Sequence, residues 1–156
     1  MIDTPSANQP VREMSPTERM AAGMQRLLAL HDHFRERGAH VSLRGTTLVV
    51  RTTIGDYLID FADDEPRSLK MQAIYEVVQG NHVRAAMACA LATERSYAAK
   101  AIARPQGDGY RVHFVVELFV DELAAFTKFV GLYQAAIEDC REAFIRVMAD
   151  AEISSK

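Results

Sequence analysis

Two imidazoles flank a carboxylate at His31-Asp32-His33, groups that elsewhere ligate metals or pass protons. On a helix, residues two apart do not face each other, so these imidazoles diverge; ligands sharing a helix sit three or four apart. The set reads as a surface pair near a helix C-terminus, where a cation is mildly favoured. Asp60, Asp63, Asp64 and Glu65 form an acidic cluster. A calcium loop needs ligands at alternating positions and a glycine at its sharp turn. DFADDEP has neither and reads as a solvated turn. Gly107-Asp108-Gly109 lacks the Lys and Ser/Thr of a phosphate-binding loop and precedes a strand, so it reads as a hairpin turn. Arg111, His113 and Glu117 fall on one face of a strand, where His113 and Glu117 could share acid–base work. Cross-strand charge pairing is the plainer use of them. No serine has a nucleophile-elbow context. Cys89 and Cys140 match no metal or redox spacing and lie on apolar helical stripes, so they read as buried thiols. No catalytic, metal or cofactor-binding residue is assigned, and the expectation is a protein that is not an enzyme.

The elements that would position these groups follow from periodicity. Ser15-Pro16-Thr17-Glu18 is a helix start, with Ser15 as cap, Pro16 at the first helical position and Glu18 closing a capping box. Met20, Met24, Leu27, His31 and Phe34 then recur at steps of three and four, and Gly38 ends the helix. His40 to Leu43 is short. Thr46 to Thr53, Tyr57 to Phe61 and Leu69 to Val78 read as strands. Asn81 caps an alanine-rich helix over His82 to Glu94. Tyr97 to Arg104 is a weak strand, and Tyr110 to Val120 a strong one. Asp121 opens a long last helix whose apolar positions run from Leu123 and Phe126 to Phe144 and Val147. That stripe fits packing on a sheet; a coiled-coil seam is the other reading. The expected fold class is α+β. It has two layers and a five-stranded antiparallel sheet, in the order helix-β-β-β-helix-β-β-helix, with the first and last helices on one face.

The chain has 156 residues, 49% apolar and 25% charged, with a net charge of −3. This suits one globular domain and lacks the basic footprint of a nucleic-acid binder. Residues 1–14 are polar and aperiodic and read as a mobile arm, 15–150 as the domain, and 151–156 as a flexible tail. The first twenty residues contain no continuous apolar core of the kind a secretory signal has. The longest uncharged apolar run, Ala85 to Ala92, is far below the ~18 residues of a membrane span. The expected location is the cytoplasm, with no membrane partner and no nucleic acid.

The second face of the sheet is the informative one. Ile74, Val78, Ile102, Val115 and Phe119 project away from the face on which the first and last helices would pack. A sheet face open to water should be polar there. Large apolar residues imply cover, either by the helix at 82–94 or by another chain. These five residues are the candidate surface for a partner or for a homodimer.

The order of elements resembles the YbjN family, whose fold is that of type III secretion chaperones. The resemblance spans about residues 16–148 and includes Asn81 opening the middle helix. It is closest from Tyr97-Ala98-Ala99-Lys100 through Gly107-Asp108-Gly109-Tyr110-Arg111-Val112 to Glu117-Leu118, and in the long amphipathic last helix. The middle helix departs from the pattern in being alanine-rich. The resemblance implies a small cytoplasmic homodimer, chaperone-like or regulatory, that holds a partner polypeptide on apolar surface, with no cofactor. The alternative is a small-molecule binder or enzyme with a pocket between helices and sheet, near His113 or Glu117. Fold likeness alone does not decide between them.

Overall fold

The protein is described here from a computed structural model covering residues 13–53 and 55–153. Most of the arm expected over 1–14, the turn residue Ile54, and positions 154–156 of the expected tail lie outside the described residues. In chain order the elements are α1 (Pro16–Glu36), β1 (His40–Arg44), β2 (Thr47–Arg51), β3 (Asp56–Phe61), β4 (Ser68–Val77), α2 (His82–Arg95), β5 (Lys100–Gln106), β6 (Gly109–Phe119) and α3 (Leu123–Ile153). The helix α3 therefore runs on into the stretch read as tail.

Helix α1 starts as its sequence dictates. The Glu18 N–H donates to Ser15 Oγ at 3.2 Å, and the Ser15 N–H donates to Glu18 Oε2 at 2.7 Å. Its inward residues are Gly23, Leu27, Leu30 and Phe34. Leu30, rather than His31, completes the stripe. At Gly23 the helix lies directly on the sheet: a Cβ there would sit 2.3 Å from the Phe61 ring.

The sheet has six strands in the order β1-β2-β3-β4-β6-β5. Every neighbouring pair is antiparallel. The α+β class holds, but the expected five strands become six and the order helix-β-β-β-β-helix-β-β-helix. The extra strand is β1. HVSLR is short and half polar, because as an edge strand it has one face on the core and one in water. Its pairing with β2, from His40↔Arg51 to Arg44↔Thr47, holds it in place.

All the helices lie on one face. Cross-strand partners share a face, and the registers link Leu43, Leu48, Ile59, Met71, Val116 and their neighbours into one side of the sheet. These residues form a single apolar cluster with Leu27 and Phe34 of α1, Ala85 and Ala92 of α2, and Ile137 and Phe144 of α3. Tyr57 is fully buried, and its hydroxyl donates to Glu138 on α3 at 2.8 Å. Burial and that carboxylate both push the phenol well above its usual range. The start of α3 differs from expectation. The helix begins at Leu123, and Asp121 instead pairs with Arg67 at 3.4 Å while its carbonyl accepts from Arg26 at 3.1 Å.

Candidate functional site: the open face of the sheet

Among the described residues, no helix lies on the opposite face. The helix at 82–94, expected as one possible cover, packs against α3 and β5 on the core side through Ala85, Ala88, Cys89 and Ala92. Antiparallel register builds the open face row by row. The central row runs Ser42, Val49, Leu58, Gln72, Val115, Lys100 across all six strands. One step toward the β5–β6 turn, Ile74, His113 and Ile102 lie side by side. One step the other way lie Asp60, Lys70 and Glu117.

The candidate residues divide on this grid. Ile74, Ile102 and Val115 come together around His113. Val115 is only 3% exposed, although no helix covers it. Its cross-strand neighbours Gln72 and Lys100 flank it, and Lys100 ion-pairs with Glu117 at 3.3 Å beside it. A charge placed at Val115 would therefore probe packing rather than a surface. Ile102 is 38% exposed. Phe119 is 61% exposed but stands apart, four positions or about 13 Å along β6 from Val115, with the Arg67 guanidinium 4.6 Å from its ring centroid. Val78, 86% exposed, lies past the last ladder pair, Val77↔Tyr110, and joins neither group.

A polar network crosses the same face. The buried Gln72 amide donates toward Asp60 Oδ2 at 3.4 Å, and its carbonyl lies 2.9 Å from His113 Nδ1, which donates to it. Lys70 pairs with Asp60 at 3.3 Å, and Arg111 with Glu76. Asp60 is held above its usual carboxylate range, chiefly by burial, with Lys70 opposing. His113 is held below the usual imidazole value, first by burial and then by Arg104, Arg111 and Lys70. The sign for stability follows. Between the lowered folded value and about 6.5, the unfolded chain binds the extra proton, so stability is complete above about pH 6.5 and declines as pH falls through that window. Asp60 acts with the opposite sign in its own, lower range. Urea titrations at about pH 7.5 and 5.5 should show a lower midpoint at the acid value. His113→Gln should shrink the difference; an unchanged difference would mean that His113 does not carry it.

His113 and Glu117 share this face but not a hydrogen bond: His113 faces Gln72, and Glu117 faces Lys100. The remaining chemical candidates are likewise engaged locally. His31 meets Asp32 at 3.1 Å, and Arg37 donates to His33 Nδ1 at 2.8 Å. Glu65 is bound by the Arg67 side chain and backbone N–H, which draw its carboxyl down to about 2. Cys89 and Cys140 are buried free thiols, and burial pushes Cys89 up to about 12. Gly107 takes φ +57° at the tip of the β5–β6 hairpin. Among the described residues, no group of three or more His, Cys, Asp or Glu is gathered as metal ligands would be.

A cavity of about 480 Å³ lies on the helical side. Tyr75, Val77 and Tyr110 from the sheet, Asn81 and Arg84 from the start of α2, and Phe144 and Met148 from α3 line it. Arg84 Nη2 donates to the Met148 carbonyl at 3.1 Å. His113 and Glu117 project from the other side of the sheet, so the pocket expected near them is not assembled with them.

Sequence reading missed one feature, the outer face of α2. Val83, Met87 and Leu91 stand exposed there at i, i+4 and i+8, while only Ala and Cys face inward. The spacing was visible; the side on which the helix packs was not.

Fold and face together define the class: an α+β domain with one six-stranded antiparallel sheet and, among the described residues, helices on one side of it only. This is the YbjN-like fold. The crystal structure of YbjN from E. coli, a proposed transcription regulator, superposes with a TM-score of 0.60, covering 80% of this chain and 93% of that one at 18% identity. No family model matches the chain, and no curated protein matches it. Among the described residues, no helix is long and apolar enough to cross a membrane.

Proposed function

We propose that the protein is a non-enzymatic binding module, chaperone-like or regulatory, that acts as a homodimer and holds a partner polypeptide on the open face of its sheet. The observation that carries this reading is the bare face itself, where Ile74 and Ile102 flank His113 and Phe119 stands exposed. Beside that apolar strip Lys100 is paired with Glu117 and Arg111 with Glu76, so a partner could cover these residues without breaking either pair. The likeness to YbjN supports a regulatory or binding role by fold analogy.

Strand addition is a further means of holding a polypeptide, and the two sheet edges differ in fitness for it. In a two-residue hairpin the flanking pair, Gln106↔Gly109, exchanges hydrogen bonds, so Ala101, Ala103 and Pro105 turn their backbone outward. The Ala101 N–H is taken by Thr93 Oγ1 at 2.9 Å, and Pro105 has no N–H. Only Ala103 keeps an outward donor, so β5 is a blunted edge. Strand β1 carries no proline, and Val41 and Leu43 turn outward there by the same rule.

The test is capture from native lysate on the immobilised full chain, read by mass spectrometry, with Ile102→Asp as the control bait. A near-stoichiometric polypeptide held by the wild type and lost with Ile102→Asp, at unchanged circular dichroism, is the expected result. Equal capture by both baits would remove the open face from the reading. The cavity beside Arg84 favours a second reading, a small-molecule binder with no part for His113 or Glu117. A thermal-shift screen against metabolites that finds a ligand lost in Arg84→Ala would favour it.

A further inference from the structure

We infer that the cavity between the start of α2 and the end of α3 is a binding site for a small monocarboxylate with an apolar body. This rests on the small-molecule reading above and adds the chemical class of the ligand. At about 480 Å³ the cavity falls within the roughly 300–1,000 Å³ of small-molecule sites.

Much of the lining is aromatic. Phe144 is 1% exposed and packs edge-on against Tyr75, with centroids 6.4 Å apart. Tyr110 is buried, and a Cβ at Gly80 would meet its ring at 2.8 Å. Glycine there lets the chain entering α2 lie against that ring. Met148 adds a thioether, which adapts its rotamer to an occupant. Three rings and a thioether suit the apolar body of a ligand.

Arg84 sets the sign of the site. It is the one charged residue lining the cavity among the described residues, and no Asp or Glu joins it. Arg111 and Arg141 have a buried Nε without a partner, as Arg84 does, but each of those two meets a carboxylate, Glu76 and Glu138. Arg84 does not. Its Nη2 donates to the Met148 carbonyl at 3.1 Å, and among the described residues no carboxylate pairs with it. The guanidinium is therefore positioned by α3 and holds more donors than the protein satisfies. The first turn of α2 has no acidic residue, so the positive end of that helix adds to the same potential. A part-buried cation without a counter-ion is costly, and an anionic ligand supplies one. One guanidinium matches one negative charge, and a planar carboxylate meets its donors as a fork. A phosphate monoester brings a charge of about −1.5 to −2, for which no second cation lines the cavity.

Isothermal titration calorimetry on the full chain tests this, with naphthylacetate, phenylbutyrate and decanoate each set against its neutral amide. At least one acid should bind with a Kd below about 1 mM, and at least about tenfold more tightly than its amide. Arg84→Gln should abolish that preference, so that acid and amide bind alike. Ala149→Trp, at an exposed position that lines the cavity, should block both while leaving the Arg84 side chain in place. Both variants should keep the wild-type circular dichroism spectrum. Acid and amide that bind the wild type alike, and are lost in Ala149→Trp, would overturn the anionic class and leave the small-molecule reading standing. A preference unchanged in Arg84→Gln would place the anion elsewhere and overturn the site. Binding of no acid and no amide at about 1 mM would overturn the site and the small-molecule reading together, while capture lost with Ile102→Asp would still decide the polypeptide-binding reading.

Discussion

Replacing Phe144 by alanine should cost about 3–5 kcal/mol of folding stability, the range for truncating a fully buried aromatic. The ring is 1% exposed and stands where α3 crosses the sheet. It packs edge-on against Phe114 of β6, with centroids 5.7 Å apart, and against Tyr75 of β4 at 6.4 Å. Such pairs add about 0.5–1.5 kcal/mol beyond the area they bury. The substitution removes those contacts and leaves space that closes poorly, because the ring is also a wall of the 480 Å³ cavity. The neighbouring Ile145 is half exposed, and Ile145→Ala should stay within about 0.5 kcal/mol. Urea unfolding followed by circular dichroism gives both numbers. A loss below about 1 kcal/mol at Phe144 would mean that α3 does not seat this ring on the sheet.

That helix was legible because its signal is local. Phe126, Ile137, Cys140 and Phe144 recur at helical steps, and all are buried as the stripe requires. Strand β6 was legible for the same reason: Tyr110, Val112, Phe114 and Val116 alternate with partly polar positions and face the helices. What could not be read depends on partners distant in the chain. His40 to Leu43 carries too few apolar residues to announce a strand, and only pairing with β2 makes it one. The side on which α2 packs is set by its neighbours α3 and β5, not by its composition. Its small inward residues and large outward ones point the wrong way for any rule that ranks burial by hydrophobicity alone.

The open face shows the same division. Alternation placed Ile74, Ile102 and Val115 on one side correctly, since a period of two is all that needs. It could not show that Val115 lies buried between Gln72 and Lys100, because that follows from β6 lying between β4 and β5. Nor could it join Asp60, Gln72 and His113, which stand on β3, β4 and β6 and meet only through register. Phe119 and Val78 fit the alternation too, yet distance along the strand separates them from the rest.

The hairpin joining β5 and β6 gives the second large effect, at Gly109. A Cβ there would lie 1.8 Å from the Val77 carbonyl oxygen and 2.7 Å from Val78 backbone atoms. Backbone cannot rotate away as a side chain tip can, so Gly109→Ala must part β6 from the end of β4, where Val77 pairs with Tyr110. Overpacking of this kind costs about 1–3 kcal/mol and sometimes more; with ladder bonds lost as well, the upper part of that range is expected. Gly107, two positions away in the same turn, is constrained differently. Nothing lies within 4 Å of its missing Cβ, but its φ is +57°. Its replacement by alanine should cost about 1–2 kcal/mol, the penalty of the left-handed region for an L-residue. Asparagine tolerates that region, so Gly107→Asn should recover much of the loss. At Gly109 asparagine brings the same Cβ and more, so Gly109→Asn should be worse than Gly109→Ala. Thermal midpoints of the four variants decide between conformation and contact. Rescue by asparagine at Gly109 would show that its backbone angle, and not the Val77 carbonyl, is what excludes a side chain.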